Sequence, residues 1–166
     1  MGEIGQRDFP AIENMFRAAL DNHHKYVRGA IKGSLKRMGE RNPSETFHFI
    51  QKYIQHPDPE IRKEMIHGIE LRGWLHPEEV LPMLQPVQND LDKSVQSMIC
   101  HVLTQISYKR GCLEKVLFAL KSWKNTVLVG KTLKKMIEVH RRYANFAAHS
   151  PESAARLINA VFYEKT

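Results

Sequence analysis

At 166 residues, with 42% hydrophobic and 26% charged side chains, the chain is long enough for one domain with a real core or for an array of a few repeats. Two cysteines, Cys100 and Cys112, exclude a disulfide framework, and neither an 18-residue apolar run nor the apolar stretch of a signal peptide is present, so a reducing cytoplasm is the expected compartment and no membrane partner is expected. The net charge of +7 favours an anionic partner but is unevenly spread: six Lys/Arg face one acid from Lys25 to Arg41, three face eight acids from Asp58 to Asp92, and ten face two from Lys109 to Arg142.

Residues 1–9 carry no periodic pattern and read as an N-terminal tail. A helix over 10–21 opens on Pro10. Pro10 stands 33 residues before Pro43, and Phe16 matches Phe49, so this helix corresponds to the second helix of a repeat and reads as a half-repeat cap. The helix over 25–38 carries Val27, Ile31 and Leu35 at i, i+4 and i+8, one stripe of an α-helix. Asn42-Pro43-Ser44-Glu45 opens the next helix, 43–55, whose stripe is Phe47, Ile50 and Ile54. Proline in the first turn sacrifices no intrahelical hydrogen bond, and the acid behind it favours the positive end of the helix dipole. The helix over 59–72 carries Ile61, Met65 and Ile69; His76-Pro77-Glu78-Glu79 then opens 77–88, with Val80, Leu81, Leu84 and Val87. Helix 93–108 carries Val95, Ile99 and Leu103, and helix 112–123, opening on Gly111-Cys112, carries Val116, Leu117, Leu120 and Trp123. Helix 127–142 carries Val129, Leu133 and Ile137. After a longer turn, 143–150, Ser150-Pro151-Glu152-Ser153 opens 151–163 with Leu157, Ile158, Val161 and Phe162. Asn42 and Ser150 suit the N-cap position, His76 less so.

The decisive signal is self-similarity. Steps of 34 from Val27 reach Ile61, Val95 and Val129; from Ile31, Met65, Ile99 and Leu133; from Leu35, Ile69, Leu103 and Ile137. All twelve positions are apolar. The expected fold is therefore all-α, an α-α superhelix of about four helical hairpins over about 22–55, 56–89, 90–124 and 125–163, preceded by the half-repeat cap, in a single domain over 10–166. Tetratricopeptide repeats share the period but need small residues where helices cross. The columns Lys32/Ile66/Cys100/Lys134 and Ser34/Gly68/Val102/Met136 are not consistently small. By contrast, His56-Pro57-Asp58-Pro59-Glu60-Ile61-Arg62, followed by Met65, Gly68 and Ile69, resembles the opening of HEAT and HEAT-like repeats. Val27-Arg28 repeats the Val/Ile-Arg pair, Val95-Gln96 behind Asp92 repeats it imperfectly, and Val129-Gly130 does not. The resemblance covers about residues 22–163 and implies a HEAT-like α-solenoid. In that frame Asp58 and Asp92 accept backbone N–H groups at helix starts, and Arg62 reaches an aspartate of a neighbouring repeat.

Such stacks bind far more often than they catalyse, and the expected function is a non-catalytic interaction module for a protein partner. No Walker or dinucleotide fingerprint occurs, and no serine or cysteine has a positioned His/Asp partner, so no catalytic residue and no cofactor is expected. His67 and His101 stand 34 apart on equivalent positions of neighbouring helices. Two ligands without a nearby carboxylate or cysteine make only a weak site; the pair reads as partly exposed helix histidines, and no metal is expected. The alternative partner is nucleic acid. Lys36, Arg37 and Arg41, then Arg72, then Lys109 and Arg110, then Arg141 and Arg142 fall at equivalent hairpin turns and would form a basic ridge, thickened by Lys134 and Lys135. Bacterial alkylpurine DNA glycosylases, relatives by architecture, cradle DNA on a basic concave face. An enzyme of that kind would require a cleft holding an Asp or Glu beside an exposed Trp or Tyr, and burial of both Trp74 and Trp123 would argue against it.

Overall fold

The computed structural model describes residues 25–164 and, apart from them, Ala18; within the main span side chains are described from residue 33. The expected tail 1–9, the cap helix 10–21 apart from Ala18, and the side chains of Val27, Arg28 and Ile31 lie outside the described residues. The described chain is helical with no strand: α1 Lys25–Arg41, α2 Pro43–Tyr53, α3 Pro59–Gly68, α4 Glu70–Leu75, α5 Pro77–Leu84 with a 3-10 turn Gln85–Val87, α6 Lys93–Ser107, α7 Leu113–Leu120, α8 Thr126–Arg142 and α9 Pro151–Phe162.

Helix starts follow local chemistry. The Asp58 carboxylate accepts from the Glu60 amide at 2.9 Å, Asp92 from Ser94 and Val95 at 2.8 and 3.0 Å, Asn125 from Leu128 at 3.1 Å, and Ser150 from Ser153 at 3.1 Å. Each satisfies a donor that the first turn leaves without an intrahelical partner. Asn42 departs from expectation: among the described residues its side chain makes no capping bond. Its backbone (φ −130°, ψ 64°) nearly matches that of His76 (φ −133°, ψ 61°), and both residues precede proline. The ring of the following proline disfavours the α region at these positions and so favours a helix start there without a capping side chain.

Two predicted helices are broken. The span 59–72 divides at Ile69, whose amide turns back to the Ile66 carbonyl at 3.4 Å, and helical structure resumes to Leu75. The break sits beside Gly68, where an added Cβ would stand 3.1 Å from the Cβ of Leu35 on α1. The span 77–88 tightens into the 3-10 turn after Leu84, because Pro82 and Pro86 each remove an amide from the helical ladder.

Packing runs between near neighbours. α1 packs on α3, α3 on α6 and α6 on α8; α5 packs on α7 and α7 on α9; and α1/α2, α4/α5, α6/α7 and α8/α9 pack as successive pairs. The predicted stripes are what meets. Leu35, Ile61, Met65, Ile69, Val95, Ile99, Leu103, Val129 and Leu133 are all buried, and Ile137 packs partly buried against them. Phe49, fully buried in α2, belongs to this core although the sequence stripe passes through Phe47 and Ile50. Approach is closest at Gly73, where a Cβ would meet Ile106 at 2.4 Å and Val80 at 2.9 Å, so α4 seats against α5 and α6 only without a side chain there.

Polar stitches join the same neighbours. Arg62 forks onto Asp90, Nε at 2.7 Å and Nη2 at 3.1 Å, while its Nη1 donates to the carbonyls of His56 and Pro57 at 2.8 and 3.0 Å. Gln96, 34 residues on, keeps only the carbonyl bond, to Asp90 at 2.7 Å. Gln88 takes over the next junction: its side-chain oxygen accepts from the amides of Lys124 and Asn125, both at 2.9 Å, and its carbonyl accepts from Asn125 Nδ2 at 2.7 Å. The long turn after α8 is held by an Ala148 amide bond to the Tyr108 carbonyl at 3.1 Å and by Tyr143 stacked on Tyr108.

Fully buried His140 donates from Nδ1 to the Met136 carbonyl at 2.7 Å, which leaves Nε2 as a buried lone pair with no partner among the described residues. Burial holds its pKa below the ordinary 6.5; the Met136 bond opposes this and nearby His149 adds to it. Two outcomes are expected. Arg62→Ala should destabilise by ~2–3 kcal/mol in urea unfolding, because it leaves the nearly buried Asp90 carboxyl without its guanidinium partner; a loss below ~0.5 kcal/mol, the range of ordinary surface changes, would contradict the stitch. The unfolded chain protonates His140 near pH 6.5 and the folded chain only below that, so its contribution is complete above pH 6.5 and is lost as pH falls through the lower folded value. Between about pH 7 and 5, wild type should therefore lose more stability than His140→Gln; equal losses would sink this account.

Candidate binding faces and a histidine-carboxylate cluster

The second helices leave apolar surface uncovered. Between α5 and α7 lies a groove of about 560 Å³, with Leu81 and Trp123 as its floor and Pro82, Phe118 and Ala119 on its walls. Leu81, within the core stripe of α5, and Trp123, three residues beyond α7, are both buried. Phe118, one position past Leu117, turns outward and is 82% exposed. The rim is polar and internally paired: Lys115 reaches Glu78 at 3.4 Å, and His149 reaches Glu114 at 3.2 Å. The Glu78 carboxyl is held below the usual carboxylate range, first by its backbone N–H at the start of α5, with burial opposing and Lys115 assisting. The sequence placed Trp123 in the core but did not mark Phe118; its signal was an aromatic side chain adjoining a complete apolar stripe.

The basic residues expected to form one ridge divide into groups. Lys36 points to the buried Glu70 carboxylate at 3.4 Å, and Arg72 forks onto Glu79 at 2.8 and 2.9 Å. That fork is the main reason the Glu79 carboxyl sits below its usual range. Lys109 lies over the Trp74 ring at 4.0 Å and the Tyr108 ring at 4.7 Å, a cation–π arrangement that covers a half-buried tryptophan. Arg37, Arg41, Arg110, Arg141 and Arg142 are exposed. Lys134 and Lys135 are about 12 Å along α8 from the Arg142 end, and face a 340 Å³ groove between α6 and α8 together with Lys93 and Lys131. Lys93 was not singled out in the sequence; the 34-residue step that sets Ser97 and Cys100 beside Lys131 and Lys134 brings α6 and its first residue to that groove.

The aspartates and cysteines are absorbed by structure. Asp58 and Asp92 cap helices and Asp90 holds Arg62, while Asp8 and Asp21 lie outside the described residues. The buried Cys100 thiol donates to Thr132 Oγ1 at 3.2 Å, since that hydroxyl already donates to the Leu128 carbonyl. Cys112 bonds the Trp74 carbonyl at 3.3 Å, and burial pushes its thiol pKa up.

One expectation is corrected. His67 and His101 do have a carboxylate beside them: His67 Nε2 lies 3.0 Å and His101 Nε2 3.4 Å from Oε2 of Glu70. His67 ends α3, Glu70 begins α4 across the Ile69 break, and His101 lies on α6, where helix stacking sets its ring edge-on to that of His67 at 5.3 Å. Glu70 is 5% exposed. Burial alone would raise its pKa, but hydrogen bonds from His101 and His67 and the nearby Lys36 ammonium reverse this and hold it well below the carboxylate range. His67 Nδ1 is buried with no hydrogen-bond partner among the described residues. The missed signal was short range: Glu70 follows His67 by three residues, one helical turn, and follows Lys36 by 34.

Comparison with known protein families, with curated proteins and with solved structures gives no match. Among the described residues no helix is long and apolar enough to cross a membrane.

The exposed Phe118 yields a direct test of the groove. Phe118→Ser should change unfolding free energy by no more than ~0.5 kcal/mol, as for a surface position, while lowering fluorescence of a hydrophobic dye such as ANS bound to the native protein. A large stability loss, or undiminished dye binding, would show that Phe118 does not front an accessible apolar surface.

Proposed function

We propose that the chain is a non-catalytic HEAT-like scaffold, about four helical hairpins stacked into a right-handed superhelix, which binds a protein partner through the face of its second helices. The stacking is supported by the succession of first helices, α1 on α3 on α6 on α8, and of second helices, α5 on α7 on α9, in register with the 34-residue apolar period. The capping aspartates and the Arg62–Asp90 fork support the HEAT-like character.

The observation that carries the binding reading is the open apolar groove between α5 and α7, with a buried floor and an exposed Phe118 at its wall. At its rim Lys115 pairs with Glu78 and His149 contacts Glu114, so the surface left for a partner is mainly apolar. An amphipathic segment presenting apolar residues at helical spacing fits such a trough. A second reading, nucleic-acid binding, is favoured by one specific feature: Lys93, Lys131, Lys134 and Lys135 converge on one groove and make no ion pair among the described residues.

Selection of a phage-displayed peptide library on the wild-type protein, run beside short DNA and RNA titrations across a salt series, separates the two. The protein reading expects peptides with apolar residues at i, i+3 or i+4, binding at least ~10-fold more weakly to Phe118→Asp. Absence of groove-dependent peptides, together with nucleic-acid binding that falls steeply with salt and is lost in Lys134→Glu/Lys135→Glu, would replace it with the second reading.

A further inference from the structure

We propose that His67, Glu70 and His101 form a three-ligand site for a divalent transition-metal ion of the zinc type, with Lys36 as a built-in competitor for the same carboxylate. The three donor atoms lie within 4.8 Å of one another. A tetrahedral zinc ion with ligands at ~2.0–2.1 Å separates neighbouring donors by about 3.3 Å. The two carboxylate–imidazole separations, 3.0 and 3.4 Å, already bracket that edge. The remaining imidazole–imidazole edge would close by a rotation of His101, whose side chain is 45% exposed.

The donor set suits the metal. Two imidazoles and a carboxylate are borderline ligands that favour zinc, cobalt or nickel over magnesium or calcium. Glu70 supplies a nearly buried carboxylate, and His67 and Glu70 stand one turn apart across a break that aims both at α6. The ligands therefore come from two successive helix pairs, and a bound ion would tie α3 and α4 to α6. The partly exposed side of His101 leaves the fourth position to water. Two features limit affinity. The Lys36 ammonium sits 3.4 Å from Glu70 Oε2, the oxygen on which both imidazoles converge, and must swing to the other oxygen or to solvent when a dication enters. His67 Nδ1 has no second-shell acceptor among the described residues, and such contacts are worth ~10–100-fold in metal affinity. Micromolar rather than nanomolar binding is the expected range.

The test uses the full chain, stripped with a chelator and titrated with Co²⁺ and then Zn²⁺. Wild type should bind one Co²⁺ with visible d–d absorption of four-coordinate intensity, displaced by Zn²⁺, and Zn²⁺ should raise its thermal midpoint. His101→Ala removes a half-exposed ring and should fold while losing affinity by more than the ~10–100-fold of an outer-shell change; Glu70→Gln should lose it as well. Lys36→Met should tighten binding by roughly tenfold, because a cation beside the site is removed. A merely structural cluster would not produce that gain. Failure of the wild type to take up Co²⁺ or Zn²⁺ up to about 100 μM would overturn the site, as would uptake equal in wild type and His101→Ala. Because the site and the apolar groove share no residue, either result leaves the peptide experiment to stand on its own.

Discussion

Side-by-side packing of successive first helices is the constraint on which the rest of the molecule depends. Leu35, Met65, Ile69, Ile99 and Leu133 fill the seams between α1, α3, α4, α6 and α8, and helices seated on such side chains approach to about 8–10 Å. At that spacing a residue and its counterpart 34 positions later become neighbours across a seam. Lys36 therefore meets Glu70, and His67 meets His101. Gly68 and Gly73 permit the closest contacts, against Leu35 and against Ile106 and Val80. Each polar pairing follows from an apolar one.

The same register explains why the junctions look different while doing the same job. Where Arg62 forks onto Asp90 the junction is ionic; where Gln96 replaces the arginine, only the carbonyl bond survives, and Gln88 joins the next turn through neutral amide bonds. A buried amide and a paired guanidinium both satisfy backbone groups that the turns would otherwise leave without partners, so the interface tolerates the exchange. Beyond the last junction, the Tyr108–Tyr143 stack and the Ala148 amide take over, where the connection is longest.

Charge and apolar surface are consequently sorted by helix layer. The first helices carry the Lys36–Glu70–His67–His101 cluster and the lysines around the α6–α8 groove, while the second helices carry the apolar trough with Phe118 at its wall. Among the described basic residues, Lys36 pairs with Glu70 and Arg72 with Glu79, and Lys109 lies over Trp74. Proximity in the fold, not abundance in the chain, determines which lysines remain available to a partner.

Local rules were legible from residues alone: Asp58, Asp92 and Ser150 as caps, the prolines at helix starts, and stripes such as Ile61–Met65–Ile69 that became core. These depend on contacts within one or two helical turns, or on an apolar period that only a common buried face sustains, and such information is written into neighbouring residues. The break at Ile69, the outward face of Phe118 and the convergence of His67 and His101 on Glu70 were decided by the tertiary structure. Each depends on where a second helix comes to rest, to within an ångström or two. A repeat period states which residues are counterparts across a seam, but only packing sets how far apart their side chains end and which way they point.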